Sequence, residues 1–153
     1  MAEIIKRPDW AKKKIDFKNM HATEGVLSGM GLHTVCHSAR CPNLSECYGR
    51  GTATFLILGS ACTRQCLFCN VMKAEPQALI PKEAENVIEA ANKLKVKYLV
   101  VTSVTRDDLK DGGASVFADI IKKARAEGIK IEVLVPDFKG NEADIKTVVD
   151  AGP

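Results

Sequence analysis

Three short apolar runs, each followed by a stretch of helical periodicity, constrain this chain more than any other feature. Ala53–Leu58 (ATFLIL) is β-rich and stops at Gly59-Ser60. Lys97–Val104 (KYLVVTSV) is almost continuously apolar, as a strand covered on both faces should be. Lys130–Val135 (KIEVLV) is a third strand, closed by Pro136. Pro81–Lys95 reads as a helix, with Pro81 at the first helical position and Val87, Ile88, Ala91 and Leu94 on one face. Ala114–Glu127 places Val116, Phe117, Ile120, Ile121 and Ala124 inward and is stopped by Gly128. Glu142–Ala151 begins a third helix through Ile145, Val148 and Val149, ended by Gly152.

Strands alternating with helices predict an α/β fold of right-handed βαβ units on a parallel sheet. An eight-unit (β/α) barrel takes about 250 residues, or roughly 30 per unit, so the stretch from residue 53 to the end accounts for about three units. Two architectures satisfy this count: a partial barrel with an open final edge, which is an aggregation liability unless covered, or a small open sheet complete as it stands. Residues 1–52 read as an irregular extension ahead of the unit-bearing region 53–153.

The sequence is 153 residues long, with 22 Lys and Arg against 19 Asp and Glu, a net charge of only +3 that gives no general nucleic-acid footprint. The excess lies at the N-terminus, where Lys6, Arg7, Lys12, Lys13, Lys14 and Lys18 face Glu3, Asp9 and Asp16; this is a solvated arm or a docking surface for an acidic protein. No apolar run is long enough for a membrane span. The first residues lack the apolar core of a secretory signal, so a cytoplasmic location is expected. In that reducing compartment the six cysteines, all between Cys36 and Cys69, read as metal or redox ligands rather than disulfides.

Cys62, Cys66 and Cys69 form C-x3-C-x2-C (CTRQCLFC) just past the first strand, at the end where parallel α/β folds place their active sites. Structural zinc wants four closed ligands, whereas three thiolates on a four-iron cluster leave one iron open. Past the second strand, Thr102, Ser103, Thr105, Arg106, Asp107 and Asp108 make either a solvated loop turning at Gly112-Gly113 or part of a binding site. Phe68 fits packing or cofactor contact equally.

Cys36, Cys41 and Cys47 form a second, differently spaced triplet, C-x4-C-x5-C. His33 and His37 flank Cys36 and admit a Cys3His zinc site, although each reads more simply as a surface or packing histidine. Arg40 has no role that the sequence alone selects. From the residues, three functions stay open: an enzyme using an open-iron cluster, a cluster-holding or electron-transfer module, and a zinc-stabilised interaction domain.

The C-x3-C-x2-C spacing with Phe68 before its last cysteine resembles the radical S-adenosylmethionine (SAM) superfamily. The stretch Leu32–Cys69, with VTSVTRDDLKDGGA after strand two, IEVLVPDFKG at strand three and RPDWAKKKI near the start, resembles the lipoyl synthase family. That resemblance implies a partial parallel barrel of radical SAM type. It implies two 4Fe–4S clusters, one on Cys62, Cys66 and Cys69 binding SAM and a sacrificial auxiliary one on Cys36, Cys41 and Cys47. Phe68, Thr102 and Ser103 are the implied SAM contacts. The implied reaction inserts two sulfur atoms, at C6 and C8 of a protein-bound octanoyl group. The implied partners are an octanoylated lipoyl carrier protein or lipoyl domain and a reduced flavodoxin- or ferredoxin-type electron donor. The family's fourth auxiliary-cluster ligand, a serine near its C-terminus, and its later strands have no counterpart here. The chain is therefore expected to be a truncated portion, inactive alone.

Overall fold

The computed structural model describes Pro8, Lys12 and residues 16–153; Lys6, Arg7, Lys13 and Lys14 of the basic arm and most of the RPDWAKKKI motif lie outside the described residues. The elements run α1 (Phe17–Gly29), β1 (His33–Thr34), α2 (Val35–Ser38), α3 (Leu44–Gly49), β2 (Thr54–Ile57), β3 (Ala61–Cys62), β4 (Met72–Lys73), α4 (Glu83–Lys93), β5 (Tyr98–Ser103), α5 (Ala114–Ala126), β6 (Lys130–Leu134) and α6 (Glu142–Asp150), with a 3-10 turn at Phe138–Gly140 before α6. The main sheet has the order β1-β2-β5-β6. Its three long strands are parallel and in chain order, with Phe55 opposite Val101 and Val101 opposite Val133, while β1 pairs antiparallel with β2. The three predicted strand–helix units are all present, with ends within two residues of those read from the sequence.

Period-2 alternation divides the sheet into two unlike faces. Phe55, Ile57, Leu99 and Val101 are buried in one core with Val87 and Ala91 of α4 and Phe117, Ile120 and Ile121 of α5. On the opposite face Leu56 is buried, Val100 and Thr102 are half-buried, and Tyr98, Glu132 and Leu134 are exposed. Tyr98 donates to Glu132 Oε2 across it at 2.6 Å. That face is open toward β6, which is also the sheet's edge.

Three expectations change. Residues 17–52 are not irregular: α1 is a 13-residue helix, capped by Asp16, whose carboxylate accepts from Asn19 N. It packs on α3 and delivers Leu27 to the common core, to which Leu32 and Tyr48 also belong. Its Thr23 hydroxyl, buried, donates to the Tyr48 carbonyl at 2.7 Å. Burial of these few side chains outweighs the weak helical pattern of FKNMHATEGVLSG. Pro81 lies ahead of α4 rather than at its first position, because Lys82 adopts a left-handed conformation (φ 58) as the N-cap. In α6 only Val148 is buried; Ile145 and Val149 face outward at the edge of the helical layer.

Candidate functional site

The site begins where β2 ends. Leu58 (φ 67) and Gly59 (φ 101) both take left-handed conformations and turn the chain sharply out of the sheet. For a leucine this is a strained state that its surroundings must enforce. The Leu58 N–H donates to both carboxylate oxygens of Glu83, at 3.0 and 3.1 Å. Its carbonyl accepts from Arg106 Nη1 at 2.9 Å. Arg106 in turn is paired with Asp108 at 2.8–2.9 Å. Glu83 and Arg106 are both buried, an otherwise unfavourable placement for charge that these bonds compensate. Burial pushes the Glu83 carboxyl above its ordinary range, with the Leu58 N–H and Arg106 acting in the opposite direction. The side chain of Leu58 also fills the space a Cβ would need at Gly113, the left-handed N-cap of α5.

Beyond this turn, the cysteine loop is pinched at its base by β3 and β4, with Ala61 opposite Met72 and Cys62 opposite Lys73. Cys62 is half-buried, and its sulfur accepts the Thr105 N–H at 3.3 Å. Thr63 donates from its N–H and its hydroxyl to the Thr105 carbonyl and accepts the Asp107 N–H. Cys66 is exposed at the loop tip and Cys69 half-buried. Phe68 is 93% exposed and is not packed into a core among the described residues. The loop after β5 is likewise more than a solvated connection, since Thr105, Arg106 and Asp107 all bond to the segment that follows β2.

Thr102 and Ser103 lie on opposite faces of β5. Thr102 is on the open face and donates to the Leu134 carbonyl at 3.0 Å. Ser103 pairs with Ile57, and its hydroxyl is the buried side-chain polar atom without a partner among the described residues.

The other triplet is assembled by local structure. Cys36 lies in α2, capped by the Thr34 hydroxyl, which accepts from His37 N at 3.3 Å. Cys41 N donates to the Cys36 carbonyl at 3.0 Å, and Cys47 lies in α3. Tyr48 anchors that helix through its buried hydroxyl, which bonds Thr34 Oγ1. Burial raises the Cys47 thiol above its ordinary pKa, and the nearby Cys36 and Cys41 thiols and Glu46 raise it further, offset by Arg50. Asn70, beside Cys69, donates to the Ser38 carbonyl at 3.1 Å and ties the two cysteine segments together.

His33 pairs with Leu56 in β1, His37 is exposed, and Arg40, exposed at φ 50, forms the turn before Cys41. Among the described residues no three His, Cys, Asp or Glu side chains converge tightly enough for a single metal ion. Tetrahedral zinc would draw its sulfurs to within about 3.8 Å of one another. The donor chemistry suits an iron–sulfur group: all six cysteines are free thiols in two groups of three, and thiolates are the ligands such clusters take. Glu83 and Arg64 escape a sequence reading, and Arg106 is read there only as part of a polar loop, because charged residues at a helix start or in a loop look solvated until their partners are known.

A parallel α/β sheet with three thiols in a pinned loop at the end of its first long strand defines the scaffold class. Residues 56–153 match the radical SAM superfamily, and the chain belongs to it. Within that class its similarity is to lipoyl synthases. It is 51% identical over 150 residues to the lipoyl synthase of Caldanaerobacter subterraneus subsp. tengcongensis, covering 97% of this chain and 53% of the relative. It is 49% identical over 148 residues to that of Pyrobaculum aerophilum, with 95% and 51% covered. With that of Aquifex aeolicus it shares 49% over 144 residues, with 93% and 52% covered. The chain thus spans about half the length of the curated relatives it matches. No described helix is long and apolar enough to cross a membrane.

Proposed function

We propose that this chain supplies the cluster-bearing part of a lipoyl synthase, a sulfurtransferase that inserts two sulfur atoms at C6 and C8 of a protein-bound octanoyl group. Cys62, Cys66 and Cys69 would hold a 4Fe–4S cluster with an open iron for SAM, and Cys36, Cys41 and Cys47 an auxiliary 4Fe–4S cluster. When bound, these groups supply reductive cleavage of SAM to a hydrogen-abstracting radical and the sulfur that follows it. The chain's own residues position them: Thr105 presets Cys62, the Glu83–Leu58–Arg106 arrangement aims the loop, and Thr102 offers a hydroxyl on the open sheet face. Phe68 completes the proposed SAM contacts, and Ser103, whose hydroxyl is buried on the core face of β5, would lie behind them. The chain-order parallel strands support a partial barrel, whose open face would receive the octanoyl chain of a lipoyl carrier protein or lipoyl domain. A reduced flavodoxin- or ferredoxin-type protein would donate the electrons.

One observation carries the reading: a second cysteine triplet, beyond the one radical chemistry needs, is docked beside the first through Asn70 and Ser38. An unactivated C–H bond yields to a radical, and the resulting carbon centre then needs a sulfur donor within contact distance. The test uses this chain extended to the length of its relatives. Cys66→Ala should abolish SAM cleavage, whereas Cys41→Ala should allow cleavage to 5′-deoxyadenosine yet stop conversion of an octanoyl to a lipoyl carrier peptide. Normal lipoyl product from Cys41→Ala would overturn the role given to Cys36, Cys41 and Cys47.

A further inference from the structure

We propose that Arg64, between Cys62 and Cys66, is a positioning residue that keys the cysteine loop to the ends of both following strands; its purpose rests on the ligand assignment above, its geometry does not. The guanidinium is gripped by two carboxylates at once. Nε and Nη2 donate to Asp107, in the loop after β5, at 2.8 and 2.9 Å. Nη1 and Nη2 donate to Asp137, in the loop after β6, at 2.7 and 2.8 Å. Each pair is bidentate, the arrangement that fixes direction as well as distance. Four N–H bonds to two carboxylates leave Arg64 little capacity for a substrate carboxylate. Lys139 joins from the 3-10 turn, donating to the Asp107 carbonyl at 3.2 Å. Two cations and two anions make the cluster neutral overall.

Arg64 and Asp107 are about two-thirds covered and Asp137 is mostly exposed, so these pairs contribute little to global stability. Their effect is local. They hold Thr63 against Thr105, and so Cys62 against the Thr105 N–H, before any cluster is present. The position of Cys62 is thereby set by residues of the second and third strand–helix units.

Amide hydrogen exchange on the cluster-free chain tests this directly. Arg64→Gln should speed exchange of the Thr63 and Thr105 amides about tenfold or more, with Leu99 and Val101 in β5 changed less than about twofold. Arg64→Lys, which cannot make two bidentate pairs, should behave like Arg64→Gln. Asp137→Asn, at an exposed position that tolerates substitution, should give a smaller acceleration at the same two amides. Unchanged Thr63 and Thr105 exchange in Arg64→Gln, or equal acceleration of β5, would overturn the proposal. In a Cys36→Ala/Cys41→Ala/Cys47→Ala background, Arg64→Gln should also lower iron uptake on anaerobic loading; full uptake would count against it. Zinc rather than iron in the parent would sink the proposed function while leaving the exchange result to decide the role of Arg64.

Discussion

Replacing Glu83 by alanine probes how the turn into the cysteine loop is held. The substitution removes both acceptors of the Leu58 N–H, a buried donor at a position of positive φ. An unsatisfied buried N–H costs about 1–3 kcal/mol, and the space left by the side chain adds about 1 kcal/mol more. Release from burying a carboxylate returns part of this, while the buried Arg106 loses an opposite charge. The expected net loss is about 3 kcal/mol, or roughly 6–12 °C in Tm for a chain of this length. Denaturant unfolding at constant m-value measures it. The pH dependence has a definite sign. Burial raises the folded-state pKa of Glu83 above the ordinary 4.5, so the folded state holds that proton more tightly than the unfolded chain. The favourable contribution is complete below the unfolded value and fades as pH rises through the folded one. The gap between parent and Glu83→Ala should therefore be widest below the ordinary 4.5 and narrow as pH rises above it. A loss under about 0.5 kcal/mol would refute the reasoning, because it would mean that Leu58 finds another acceptor.

Gly113→Ala should destabilise the chain by about 2–4 kcal/mol, since a side chain there is strained at φ 92 and its Cβ would collide with Leu58; a thermal melt decides it. On the acid side, Arg64 holds the carboxyls of Asp107 and Asp137 below their ordinary range, that of Asp137 at about 2. Their favourable contribution is present above the ordinary 3.8 and is lost as pH falls toward 2. Because Asp137 is mostly exposed and Asp107 partly so, the global loss over that interval should be small. The pairing is read instead by NMR titration of the carboxyls: Asp107 should move back toward the ordinary 3.8 in Arg64→Gln, and an unmoved Asp107 would contradict it.

The strand–helix units were legible because their apolar residues report burial directly: Leu99, Val101, Phe117 and Ile121 are apolar by necessity wherever the sheet meets its helices. Helix α1 was not, because it is held by Leu27, Thr23 and a contact with Tyr48 far along the chain rather than by a continuous apolar stripe. The cysteine groupings were visible in their spacing alone. What aims them was hidden: Glu83, Arg64 and Arg106 act through partners on other elements, and a charge at a helix start carries no mark of where its partner lies. Thr102 and Ser103 look equivalent in the sequence, yet strand alternation sends one to the open face and the other toward the core.

The most direct test of the account is the metal content of each cysteine triplet. After anaerobic loading with ferrous iron and sulfide, the parent should bind two four-iron clusters, hence about eight irons and eight sulfides. A triple alanine substitution in either group should halve both counts, and only loss of Cys62, Cys66 and Cys69 should remove the change in the reduced cluster's EPR signal on adding SAM. Zinc without sulfide, or an iron count indifferent to which triplet is removed, would contradict it.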